Sequence, residues 1–234
     1  MKDNEKQLSQ TDNSVSTLDQ IQELSLQKEN SLDKYQPFKN LLPMRAKKFR
    51  KSAYLLALIK KDNFVSFGAE RLNDDLYILS RPYDGSVSGE TCGILGVGKK
   101  LLKQLLERES SVYTILKSCP LLETCKGIET LSPYSLEPLK YLMRYLCFMK
   151  TDELLLFTIE PKAEDAAHAI HYPSANICFC GGGLERQDDM CFMKCAWREF
   201  SEETGIGIPD KYELITRQKF ILPGKYAIYF IVRI

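Results

Sequence analysis

The 234-residue chain has no surplus of either charge: 32 basic residues face 31 acidic ones, for a formal net charge of +1. No global field therefore advertises nucleic acid or a membrane surface, and recognition of a polyanion would need a local patch. The opening MKDNEKQLSQTDNS has no apolar signal core, and no apolar run approaches the length that crosses a bilayer. These absences point to a reducing, cytoplasmic or nuclear setting without secretion or membrane insertion. There, eight cysteines read as small buried hydrophobes rather than disulfides. The first 36 residues have no aromatic before Tyr35 and few apolar groups, too few to offset ordering entropy, so a disordered polar tail is expected. Leu18, Ile21 and Leu24 within it could form one helical face for a partner. No internal repeat is evident.

What is present begins near residue 37, and the texture changes abruptly at Met44. MRAKKFRKSAYLLALIKK carries Arg45, Lys47, Lys48, Arg50, Lys51, Lys60 and Lys61 without an acid. Such a run is either a solvated face beside a strand or a grip on RNA phosphates, with Lys47, Lys48, Arg50 and Lys51 as the contacts. AYLLALI and DLYILSRP read as strands, as do DELLLFTIEP, NICFC and the pair YELITRQKFI and KYAIYFIVRI around Pro223 and Gly224. Between about 99 and 146, KKLLKQLLERE and SLEPLKYLMRYL carry helical periodicity, which predicts a small helical insertion.

Two motifs compete as ligand sites. GILGVGKK, Gly93 to Lys100, has the spacing of a phosphate-binding loop. Lys100, however, stands where a Ser or Thr would hold Mg²⁺, so a flexible loop before a helix is expected. Cys178, Cys180, Cys191 and Cys195, with His168 and His171 upstream, could supply a tetrahedral zinc site or could be buried thiols.

The strongest pattern lies in GGGLERQDDMCFMKCAWREFSEETGI, Gly181 to Ile206. On a helix over 189–204, turning 100° per residue, Glu199, Glu202 and Glu203 share one arc beside an apolar arc of Met193, Ala196, Trp197 and Phe200. Like charges at that spacing repel, and the last turn of a helix disfavours anions. A hard divalent cation would repay the cost.

REFSEETGI, Arg198 to Ile206, resembles the RE-U-x-EE-x-G-U end of the Nudix box, where U is a bulky apolar residue. In strict register Met190 and Leu184 stand where the box has glutamate and glycine. With two additional residues before Arg198, Gly182 and Asp188 regain the G-x5-acid spacing. The resemblance implies an α/β fold over residues 37–234, an α/β/α sandwich with a mixed sheet, interrupted by the helical insertion at about 99–146. It implies hydrolysis of a diphosphate linked to a nucleoside, with capped RNA or ADP-ribose-like substrates, using Mg²⁺ or Mn²⁺. Glu199, Glu202 and Glu203 would bind metal, Glu199 or Glu202 would serve catalysis, Arg198 would orient a carboxylate, and Gly182, Gly183 and Asp188 would shape the loop. The layout is similar to Nudix hydrolases of large DNA viruses, mRNA-decapping enzymes among them. Family members usually continue beyond the box, whereas 28 residues follow Ile206. A truncated domain, or an inactive module that binds nucleotide, RNA or protein, is therefore the alternative expectation. Oligomeric state is left open.

Overall fold

The computed structural model describes residues 49–81, 91–107, 110–122, 127–161, 174–222 and 224–234. The tail and its amphipathic segment, Lys47, Lys48, His168 and His171 lie outside these residues. The compact unit spans Ala46–Ile234 and is a mixed α/β structure around one large, mostly antiparallel sheet.

Its spine is β1 (Arg50–Lys60), whose residues from Ser52 to Ile59 are all buried. A continuous apolar run of this kind belongs to a strand covered on both faces. Tyr54, Leu56 and Leu58 join one core and Ala53, Leu55, Ala57 and Ile59 the other, as the two-residue period of a strand requires. After β1 come α1 (Lys61–Ser66), β2 (Glu70–Asn73), β3 (Leu76–Ser80) and β4 (Gly93–Gly98). The middle section supplies a 3₁₀ turn at Gln104–Leu106, α2 (Ser111–Lys117), β5 (Gly127–Leu131) and α3 (Pro133–Leu146). The chain closes with β6 (Glu153–Pro161), β7 (Ser174–Cys178), β8 (Cys180–Gly183), α4 (Phe192–Thr204), β9 (Glu213–Leu222) and β10 (Lys225–Arg233).

The sheet runs β2-β3-β4-β6-β1-β10-β9. β1 and β6 pair only where they meet, Leu58–Lys60 against Leu155–Glu153, and then splay into a V. A smaller V fills the opening: β7 pairs with β6 from Pro161 to Thr158, and β8 pairs with β1 from Leu55 to Ser52. Phe179 is the corner between them. It is wholly buried, stacks on Phe157 at 5.1 Å and donates its backbone N–H to Ser135 Oγ at 2.9 Å. At the meeting point of the outer V, buried Glu153 receives Arg233 Nε at 2.6 Å, tying β10 to β6.

Helices cover both faces. Leu139, Leu142 and Leu146 of α3 join the core that holds Tyr54 and Phe157, while Cys195, Ala196, Trp197 and Phe200 of α4 join the other. Pro138 inside α3 has no N–H for the Tyr134 carbonyl, and Tyr229 Oη–H donates to that carbonyl instead at 2.7 Å. The middle section is thus less helical than its leucine pattern predicts. Among the described residues of KKLLKQLLERE, 99–107, the one helical piece is the short 3₁₀ turn, and a strand, β5, lies between the two helices. Gly93–Gly98 is no flexible loop: it is β4, buried throughout and paired with β3 and β6. Its ladder amides are engaged in the sheet, which removes the phosphate-cradle reading.

Candidate functional site

The site forms where α4 passes beneath β8. The helix begins at Phe192, three residues later than its periodicity predicts, because Asp189 and Met190 have positive φ angles of 51° and 60°. It ends at Gly205, a left-handed cap with φ 69° whose N–H donates to the Ser201 carbonyl at 2.9 Å. The last-turn carbonyl of Glu203 accepts from Arg81 Nη1 at 3.0 Å and from Thr91 Oγ1 at 3.2 Å. Those donors satisfy an orphaned helix-end acceptor and offset the dipole that disfavours acids there.

Arg198 organises the carboxylates. Its Nε donates to Asp188 Oδ1 at 3.0 Å and its Nη2 to Asp188 Oδ2 at 3.1 Å, a bidentate pair. The same guanidinium reaches Glu199 Oε1 at 2.9 Å, Glu202 Oε2 at 3.0 Å and the Gly183 carbonyl at 3.2 Å. Asp188 also accepts the Glu185 backbone N–H at 2.8 Å. The Arg198 hydrogen bonds hold its carboxyl below the usual range. Asp188, rather than Met190, therefore meets the arginine, and the left-handed pair Asp189 and Met190 leads from it toward the start of α4.

The glycines of β8 let the helix approach. A Cβ at Gly182 would lie 2.4 Å from the Glu199 carboxylate, so any side chain there would expel it. Glu203 Oε2 accepts the Gly181 N–H at 3.1 Å. Burial, with Glu160 and Glu199 as neighbouring charges, holds Glu203 well above the usual carboxylate range against that hydrogen bond. Burial likewise raises Glu199, opposed by Arg198. Glu202 is exposed.

Sequence reasoning missed Glu160, which closes β6 inside the opening of the V. Burial raises its carboxyl too, and Thr158 Oγ1 donates to it at 2.8 Å. An acid ending the apolar run LLLFTIE was the signal available. Cys178 lies beside Glu160, and burial followed by that charge pushes its thiol well up. Cys180 and Cys195 are buried and Cys191 is exposed. Arg50 and Lys51 are exposed at the start of β1.

Among the described residues, no three acidic, histidine or cysteine side chains stand grouped as metal ligands. Arg198 holds Glu199 and Glu202, and Glu203 turns to the Gly181 amide. The donor chemistry nonetheless fits a hard divalent cation. Glu160, Glu199 and Glu203 are carboxyls whose raised pKa values come first from burial, and a cation would relieve that cost. The described residues contain no helix long and apolar enough to cross a membrane. Compared with known proteins, the chain matches no protein-family model and no curated protein sequence.

Proposed function

We propose that the chain is a Nudix-type α/β/α hydrolase that cleaves a diphosphate linkage in a nucleoside-diphosphate substrate, such as capped RNA or an ADP-ribose-like nucleotide. The observation that carries the reading is the convergence on β8 of Glu199 and Glu203 of REFSEE, with Arg198 locked to Asp188 and reaching Glu202. Glu199, Glu202 and Glu203 would hold Mg²⁺ or Mn²⁺, which when bound neutralises diphosphate charge and lowers the pKa of a bound water. Arg198 positions Glu199 and Glu202. Glu199, whose carboxyl burial raises against the pull of Arg198, would take the proton of the attacking water. Gly182 and Gly183 leave room for the Glu199 carboxylate on one side and the Arg50 guanidinium on the other.

One observation favours a second reading, an inactive module that binds nucleotide, RNA or protein: Arg198 occupies Glu199 and Glu202 together. Turnover decides between them. Capped RNA, ADP-ribose, dinucleoside polyphosphates and nucleoside triphosphates are assayed with Mn²⁺ against wild type, Glu202→Gln and Glu203→Gln. Release of product from one class, collapsing in both variants, supports the hydrolase. Folded protein that turns over none of them supports the binding module.

A further inference from the structure

On the opposite side of β8 from Glu199, two cations stand side by side. Arg50 and Lys225 are register partners on the parallel strands β1 and β10, so their side chains leave the same face of the sheet. Like charges directly across a ladder are destabilising, and neither residue forms an ion pair with a carboxylate among the described residues. Both line a cleft of about 210 Å³ with Tyr54, Tyr134, Glu160 and Gly183. A Cβ at Gly183 would lie 2.9 Å from Arg50 Nη2. The glycine strand thus admits a carboxylate at Gly182 and a guanidinium at Gly183.

Lys225 is held rather than loose. Its Nζ sits 3.8 Å from the centre of the Tyr134 ring and 3.4 Å from Tyr54 Oη. A cation seated on an aromatic face keeps its attraction for anions while losing freedom of position. Tyr134 and Tyr54 are positioning residues in this arrangement.

We propose that Arg50 and Lys225 form a phosphate subsite that binds one phosphate of a diphosphate whose other phosphate lies past Gly181, which lines the cleft, toward Glu203, whose carboxylate accepts the Gly181 N–H. The proposal rests on the hydrolase reading for the placement of that second phosphate. Its own content, the two cations as the diphosphate grip, is tested by binding alone. An anion bridging the paired cations offsets their repulsion, which Glu160 in the same cleft offsets in part at Lys225; on the carboxylate side a divalent cation would stand between the second phosphate and the acids. The basic run at 45–51 thereby divides, with Arg50 turned into the cleft.

The test is calorimetric binding of α,β-methylene-ADP, which cannot be hydrolysed at that linkage, and of a capped oligoribonucleotide, each with Mg²⁺. Wild type is compared with Arg50→Gln, Lys225→Met, Lys225→Arg and Tyr134→Ala, with folding verified by circular dichroism. The expected result is a loss of about tenfold or more in affinity for Arg50→Gln and Lys225→Met, equivalent to one charge-assisted hydrogen bond. Lys225→Arg retains most binding, and Tyr134→Ala weakens it less than Lys225→Met. A response with the nucleotide identifies a free nucleotide as the source of the diphosphate; a response confined to the oligoribonucleotide identifies an RNA 5′ end. Wild-type affinity in Arg50→Gln and Lys225→Met, or no binding of either probe by folded wild type, overturns the proposal. Hydrolysis that persists with unchanged KM in these variants sinks the subsite and spares the hydrolase. Binding that follows the expected pattern without turnover does the reverse.

Discussion

Replacing Asp188 with alanine removes the partner that fixes Arg198. The carboxylate is only 2% exposed and the guanidinium 15%, so the pair is shielded from solvent and salt. Breaking a buried pair by deleting one member costs about 3–5 kcal/mol. Arg198 keeps Glu199, Glu202 and the Gly183 carbonyl, which places the expected loss near the lower end, about 3 kcal/mol. For a domain of this size that lowers Tm by roughly 6–12 °C. Asp188→Asn keeps one acceptor oxygen, which in the Oδ2 position receives the Glu185 N–H and Arg198 Nη2 while its NH2 faces Arg198 Nε, so it falls between wild type and Asp188→Ala. The pH dependence follows from the lowered carboxyl of Asp188. Its stabilisation is present above the unfolded value of 3.8 and is lost as pH falls through the still lower folded value. Urea unfolding from neutral to strongly acidic pH is the assay: the gap between wild type and Asp188→Ala should close on the acid side. A variant within about 0.5 kcal/mol of wild type at neutral pH, the range of an ordinary surface change, would refute the view that Arg198 is anchored there.

Glu203 should behave oppositely. Its folded pKa is raised above 4.5 by burial, so without metal its contribution is most favourable below the unfolded value and declines as pH rises through the folded one. Glu203→Gln, whose carbonyl can still accept the Gly181 N–H, should be more stable than metal-free wild type at neutral pH and lose less stability between pH 4 and 8; thermal melts in chelator check this, and identical pH profiles would contradict it. Phe179→Ala removes the corner that stacks on Phe157 and meets Tyr229 edge-on, and should cost about 3–5 kcal/mol in urea unfolding. A loss under about 1 kcal/mol would mean that the nested V does not depend on it.

The strands and helices with a clear period were legible in the sequence. AYLLALI, DLYILS, DELLLFTIE and the two C-terminal strands lie where their apolar patterning places them, and of the acidic arc of α4 Glu199 and Glu203 meet β8 while Glu202 is exposed, beside an apolar arc in which Ala196, Trp197 and Phe200 are buried and Met193 half-buried. GILGVG was misread because three glycines imitate a loop. In the folded chain they let buried neighbours close in: a Cβ at Gly96 would lie 2.9 Å from Phe64 and Leu154 side chains. Leucine pairs in KKLLKQLL suggested a helix, but Leu102 is buried in a plain turn and Leu105 in the 3₁₀ turn that follows it, where tertiary packing overrides local propensity. Glu160 and Lys225 were invisible as site residues because nothing local links them to Glu203 or Arg50. Only the V between β1 and β6 and the register of β1 with β10 bring them together.

The central claim is that the carboxylates around β8 hold a divalent cation. Titration of Mn²⁺ into metal-free protein, followed by loss of the free-ion signal in electron paramagnetic resonance, tests it most directly. The account predicts saturable binding by wild type that weakens at least about tenfold, equivalent to 1.4 kcal/mol, in Glu203→Gln and in Glu199→Gln, while Glu137→Gln, on the exposed face of α3, binds as wild type does. Equal Mn²⁺ affinity in all four proteins, or no binding by folded wild type, would contradict it.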